Sequence, residues 1–189
     1  NHGAEFPEWK NSAVGGPPVG GIDLRMRLLP QLLKGAGYRT AHVGKWHLGS
    51  SQFAQTPSRR GFDESFGYLS GSMHTHLTHL IDPDHKCNDT WKPGVDLWEN
   101  ETPIREHYGV HSCELFATRA VRTIQRHDPM EPLFLYAAMA EAHAPYDEVP
   151  RHRAGHCHTY KCRRLRSYRG MIACADEATQ NITDALRRQ

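Results

Sequence analysis

The sequence predicts an α/β fold with a central, mostly parallel sheet flanked by helices, and three observations predict it. A leucine-rich segment at helical spacing passes through a glycine turn into a short, partly alternating segment, the grammar of a parallel sheet. The eight-residue apolar run Leu133 to Ala140 has the character of a strand buried on both faces. A helix-periodic segment precedes that run and another follows it.

The elements follow in order. Residues 1–24 form an irregular lead-in, rich in Gly and Pro up to Gly21. Leu28, Leu29, Leu32, Leu33 and Ala36 share a helical face, with Pro30 near the start and Gly35 and Gly37 at the end. Tyr38 to Gly44 reads as a strand bounded by glycines. Gly49 to Gly61 reads as loop, and Phe62 to Leu69, with Phe62, Phe66 and Tyr68, as a further strand. Residues 72–108 are rich in His, Asp, Asn and Pro without a period, an irregular surface excursion. Leu115, Phe116, Ala120, Val121 and Ile124 lie on one helical face that Asp128-Pro129 and Pro132 end. After the apolar run comes a loop with Pro145, Pro150 and a basic segment to about Arg166. The last helix carries Met171, Ala175, Ala178, Ile182 and Leu186. Residues 1–189 thus read as one ordinary domain or one piece of a larger one.

Composition narrows the function classes. Lys and Arg number 23 against 21 Asp and Glu, a net charge of +2, which argues against an electrostatic nucleic-acid partner. The longest apolar run has eight residues, where a membrane span needs ~20. Five cysteines, an odd number, accompany three glycosylation sequons at Asn88, Asn100 and Asn181. Together they fit a stretch of a longer secreted or lysosomal protein whose signal peptide lies outside this chain.

The densest chemical signal is Gly37-Tyr-Arg-Thr-Ala-His-Val-Gly44-Lys45-Trp46-His47-Leu48-Gly49. If the backbone stays extended, Lys45 and His47 point to one side. They would project at the C-terminal end of a strand, where open α/β sheets bind ligands. An ammonium beside an imidazole suits a sulfate or phosphate oxyanion. A surface lysine and a hydrogen-bonded histidine would give the same pattern.

This segment resembles a signature of the sulfatase family, ending in Gly-Lys-Trp-His-Leu-Gly. The flanking Leu29-Pro-Gln-Leu-Leu-Lys-Gly-Ala-Gly-Tyr38 and Thr56-Pro-Ser-Arg-Arg-Gly-Phe-Asp-Glu-Ser-Phe-Gly67 resemble blocks of the arylsulfatase B branch. So do Pro132-Leu-Phe-Leu-Tyr136, Ala142-His-Ala-Pro145 and Tyr168-Arg-Gly-Met-Ile172 through Asp176-Glu177 and Asn181-Ile-Thr183, in that order. The resemblance runs from about Leu28 to Arg188 and is weakest between Ser72 and His107.

It implies that residues 1–189 are part of the N-terminal catalytic domain of an alkaline-phosphatase-like enzyme that hydrolyses sulfate esters with a formylglycine and a calcium ion. The branch would remove the 4-sulfate of N-acetylgalactosamine from dermatan or chondroitin sulfate, in the lysosome or outside the cell. Lys45 would bridge the formylglycine and a sulfate oxygen. His47 would bond the formylglycine hydroxyl and act as a base, and His143 would hold a sulfate oxygen near the leaving group. The departures are equally plain. The Cys/Ser-x-Pro-x-Arg motif that a formylglycine-generating enzyme acts on is absent, and so are the family's calcium ligands. The chain by itself is expected to bind no calcium at the family site and to turn over no substrate. The rival readings are a truncated, inactive sulfatase-like protein that binds sulfated glycans and a phosphate-ester hydrolase of the same superfamily.

Three further clusters have bland and functional readings. His74, His76 and His79 could chelate zinc, but histidines on a cleft surface are the simpler account. His156, Cys157, His158 and Cys162 could form a zinc knuckle, but in an oxidising compartment a local disulfide from Cys157 to Cys162 is the simpler account. The basic stretch Arg151 to Arg169 is a solvated face or a patch that steers polyanionic glycans.

Overall fold

The structure, a computed structural model, describes residues 21–71, 73, 75–80, 94–152 and 158–189. Strand β1 (Arg39–Lys45) pairs in parallel with β2 (Glu64–Tyr68) on one side and with a later strand, Leu133–Ala138, on the other. Beyond β2 an antiparallel hairpin, β3 (Trp98–Glu99) and β4 (Thr102–Pro103), extends the sheet. With Leu133–Ala138 as β5, the order is β4-β3-β2-β1-β5. Helices α1 (Leu29–Gly35), α2 (Ser112–Arg126) and α3 (Tyr160–Arg187), with short 3-10 turns at Phe53–Gln55, Pro57–Arg59 and Pro150–His152, complete the described regular structure. The hairpin falls inside the span expected to be irregular. Its turn places Asn100 at φ 55°, a left-handed conformation that asparagine tolerates, and period-two patterning is invisible in two-residue strands.

Alternation along β1 separates two cores. Val43, Phe66, Tyr68, Leu115, Phe116 and Ala120 pack together between the sheet and α2. On the other face His42 sits among Trp46, Phe62 and Tyr136, with ring centroids 5.5, 5.5 and 5.8 Å away. Among the described residues, Leu133–Ala138 is not covered on both faces as its run of apolar residues suggests. It lies at one end of the described sheet, its residues are half-buried, and Tyr136 is 44% exposed. A hydrophobic run reports a capacity for burial, not the neighbours that provide it.

Helix α1 carries Pro30 in its first turn, as expected. Its leucine stripe is not covered by the described residues, with Leu29 56% and Leu32 46% exposed. A polar latch holds the helix instead: Lys34 Nζ lies 2.6 Å from Asp63, whose other oxygen accepts from the Thr40 amide at 2.9 Å. Helix α2 starts at His111, whose Nδ1 accepts from the Cys113 amide at 3.2 Å, and buries Cys113, Phe116, Ala117, Ala120 and Ile124. Helix α3 begins at Tyr160, earlier than the apolar period shows, because Thr159 caps it. The basic segment is therefore partly helical, and Arg166 pairs with Glu148 at 2.5 Å.

A disulfide that spacing did not disclose, Cys113–Cys174, ties α2 to α3 across 61 residues of chain. Cys162 is also disulfide-bonded; its expected partner, Cys157, lies outside the described residues. Closing a loop of that length restricts the unfolded chain by about 4 kcal/mol on the chain-entropy account. Replacing Cys113 and Cys174 together by Ser in the whole protein should lower stability by about 2–5 kcal/mol, read from urea denaturation midpoints.

Burial holds His42 neutral, at about 4 against the ordinary 6.5, despite its bond to the Lys45 carbonyl. The unfolded chain takes up this proton below about 6.5 and the folded chain only near 4. Stability therefore falls as pH drops through that window, by about 3 kcal/mol in all. His42→Phe should flatten this acid loss in denaturation curves compared between pH 7 and pH 4.

Candidate active-site edge

The strands β1, β2 and β5 end in one row, where Gly44 stands in register with Gly67 and Ala138. A Cβ on Gly67 would lie 1.9 Å from the Gly44 carbonyl oxygen, and one on Gly44 would lie 2.1 Å from that of Ala138. Backbones this close leave room only for hydrogen on those Cα atoms. The loops after all three strands therefore leave from the same C-terminal edge, where α/β sheets hold ligands. Lys45 and His47 follow Gly44, Ser70 and Gly71 follow Gly67, and Glu141 and His143 follow Ala138.

Each loop is held by a buried polar group. Beyond Lys45 the chain still follows β2: the Trp46 amide donates to the Tyr68 carbonyl at 2.9 Å and the His47 amide to that of Leu69 at 3.2 Å. His42 Nε2 donates to the Lys45 carbonyl at 3.2 Å. The Asp96 carboxylate accepts from the amides of Leu69 at 3.0 Å and Ser70 at 2.8 Å, and from Trp98 Nε1 at 2.9 Å.

The alternation expected to align Lys45 with His47 stops at Lys45, where β1 ends. His47 turns at φ 50°, and its ring seats against Gly71, where a Cβ would lie 2.6 Å from Nε2. The missing side chain on the neighbouring loop thus makes room for the imidazole, and no local spacing in the sequence reveals it. Both residues are half-buried.

His143 is exposed, and its Nδ1 donates to the Ala144 carbonyl at 2.6 Å, which directs Nε2 away from its own backbone. Of the expected trio of His74, His76 and His79, the two described members are buried rather than on a cleft surface. His74 lies outside the described residues, while His76 and His79 are 2% and 1% exposed. His76 instead joins His111 and Glu141, with donor atoms within 4.8 Å of one another. Burial, with His76 and His79 nearby, holds His111 near 3, and burial raises the Glu141 carboxyl. Two imidazoles and one carboxylate form a nitrogen-rich donor set, unlike the oxygen cage that calcium requires. These described residues do not fit calcium. Ser112, His111 and Glu141 escaped the sequence reading because positions 76, 111 and 141 meet only through the sheet.

Of the sequons, Asn100 and Asn181 are exposed; Asn88 lies outside the described residues. No helix of the described chain is long and apolar enough to cross a membrane.

Comparison with known proteins supplies an independent line. The sulfatase family model matches residues 5–189. Mouse arylsulfatase J is 38% identical over 161 residues, which cover 85% of this chain and 26% of that protein. Human N-acetylgalactosamine-6-sulfatase is 37% identical over 132 residues, 67% of this chain and 24% of its own. The chain thus spans about a quarter of the length of the curated relatives it matches. In fold it is similar to Ps i-CgsB, solved in complex with k-i-k-neocarrahexaose, with a TM-score of 0.68 and 21% identity over 89% of this chain and 38% of that one. The putative sulfatase yidJ from Bacteroides fragilis gives a TM-score of 0.61 at 20% identity, over 89% and 41% of the two chains. These neighbours share the α/β sulfatase architecture.

The contact between Gly71 and His47 is open to a direct check. Gly71→Ala should displace the imidazole and lower stability by about 1–3 kcal/mol, the usual cost of overpacking. A crystal structure of the variant and its thermal midpoint would read both.

Proposed function

The chain belongs to the sulfatase family, and we propose that its protein hydrolyses sulfate esters at the sheet edge formed by Lys45, His47 and His143. The observation that carries this reading is the row of Gly44, Gly67 and Ala138, from which a cation and two imidazoles leave at one edge. Sulfate transfer gathers negative charge on the sulfuryl oxygens and on the departing oxygen, and preorganised donors are worth most in such a site.

In this reading Lys45 neutralises a sulfuryl oxygen. His47, steadied against Gly71, moves a proton at Nε2 as general acid and base. His143 holds a sulfate oxygen near the leaving group. Because Nδ1–H is committed to the Ala144 carbonyl, Nε2 donates to that oxygen only when the ring is protonated. Formylglycine, the family's nucleophile, and calcium, its oxyanion-binding metal, would be supplied by other parts of the protein. A formylglycine-generating enzyme is then a required partner.

We assign the substrate to sulfated hexosamines, with the 4-sulfate of N-acetylgalactosamine in dermatan or chondroitin sulfate as the leading case. The arylsulfatase B-like blocks support this, and N-acetylgalactosamine appears in the name of the 6-sulfatase relatives. The disulfides and the exposed sequons support a lysosomal or extracellular setting.

The test uses the whole protein with an aryl sulfate, an aryl phosphate, and the 4- and 6-sulfates of N-acetylgalactosamine. We expect turnover of sulfate and not phosphate, with the 4-sulfate preferred. Lys45→Ala and His47→Ala should each cost about 10²–10³ in kcat. Retention on chondroitin sulfate without turnover would instead establish a glycan-binding protein, and a preference for the 6-sulfate would reassign the sugar position.

A further inference from the structure

Beneath His143 lies a buried polar network that the reading above leaves without a role. The Glu141 side chain is 0% exposed. Its Oε1 accepts from the Ser112 hydroxyl at 3.0 Å, and Ser112 Oγ lies 2.8 Å from His76 Nδ1. On the other side of the imidazole, His76 Nε2 lies 3.4 Å from the His143 carbonyl oxygen. The network joins the turn around residue 76, the first turn of α2 and the loop after β5.

Counting protons shows what the arrangement requires. Ser112 has one hydroxyl proton. If it goes to Glu141, then His76 Nδ1–H must donate to Ser112, and Nε2–H to the His143 carbonyl. That is an imidazolium linked to a carboxylate. Shifting two protons along the same path gives the other arrangement. A neutral Glu141 donates to Ser112, Ser112 donates to His76 Nδ1, and Nε2–H still reaches His143. Both forms hold one shared proton, and both keep the bond to the His143 backbone. Without that proton a buried carboxylate has no cation beside it.

The surrounding groups leave His76 in this role. His111 Nδ1 is 3.8 Å from Glu141 Oε1 but accepts from the Cys113 amide, so it offers the carboxylate no proton there. Asp147 takes the His76 amide at 2.5 Å. Among the described residues, Tyr68 feels the Glu141 charge and His79 that of His76. The two Nδ1 atoms lie 4.0 and 3.8 Å from Glu141 Oε1 and already have protein partners, which a metal ion held through them would displace.

We propose that Glu141, acting through Ser112 and His76, is a positioning residue that holds the loop bearing His143. The assignment rests on His143 being a sulfate contact. A positioning error near 1 Å at a reacting group costs up to ~10² in rate.

The test is a double-mutant cycle in the whole protein with an aryl sulfate. Ser112→Ala and Glu141→Leu should each lower kcat about 10–10²-fold with little change in KM. Glu141→Gln, whose amide can donate to Ser112 as the neutral acid does, should recover most of that loss. Combined with His143→Ala, Ser112→Ala should add no further loss. A second readout is independent of turnover: the His143 amide, bonded to the Ala140 carbonyl at 2.9 Å, should exchange hydrogen faster in Ser112→Ala than in the parent. Losses that multiply with His143→Ala, or a silent His143→Ala in an active enzyme, would overturn the proposal. So would unchanged exchange, or a stoichiometric metal that Glu141→Leu removes. If the protein turns over no sulfate ester, the functional reading fails, and the exchange rate alone decides whether the network holds the loop.

Discussion

The candidate site depends on the backbone contact between Gly44, Gly67 and Ala138. Parallel strands ordinarily place side chains between their backbones and whatever lies above the sheet. Here Gly44 and Gly67 adopt φ of 109° and 157°, which would turn a Cβ into the carbonyl of the neighbouring strand, so only glycine keeps the three strands paired at their C-terminal ends. The loops after β1, β2 and β5 consequently begin as neighbours, whatever their separation in the chain. A methyl group on either glycine would push a strand away, and Lys45, the Gly71 support for His47, and His143 would move apart together.

Polar burial performs the next step. His42 holds the Lys45 carbonyl, Asp96 holds the amides of Leu69 and Ser70, and His76 holds the His143 carbonyl. In each case a buried side chain grips backbone rather than another side chain, and each grip falls on a different loop of the same edge. Such contacts are costly to leave unmade inside a protein, so they restrict loops that apolar packing alone would leave free to shift. For His42 the cost is acid sensitivity, because a buried histidine that must stay neutral in the folded state favours unfolding as protons become available. The Cys113–Cys174 bridge lies behind this layer, where α2 and α3 pack with Val149, Met171 and Ala178.

Legibility in the sequence varied with the range of the determining interaction. The strand after Gly37, the helix before Asp128 and the long last helix follow from local periodicity, and the structure contains all of them. The Gly-Lys-Trp-His-Leu-Gly run and its ordered neighbours disclosed the family. Other features were decided at a distance. The leucines of α1 mark a helix but not a cover, and the apolar run of β5 marks a strand but not its place at one end of the described sheet. The histidines near residue 76 read as surface groups because their partners, His111, Ser112 and Glu141, lie on separate elements.

The sequence by itself thus determined the alternation of helix and strand, the family and the identity of the candidate site residues, because periods and motifs are written in neighbouring positions. Tertiary structure alone decided how those residues are held. His47 takes its orientation from a left-handed turn against Gly71, and His143 is linked to Glu141 by a path through two other elements. Cysteines 61 residues apart become a bridge. Each of these needs two distant stretches of backbone at contact distance, and that distance is set by the register of the parallel sheet.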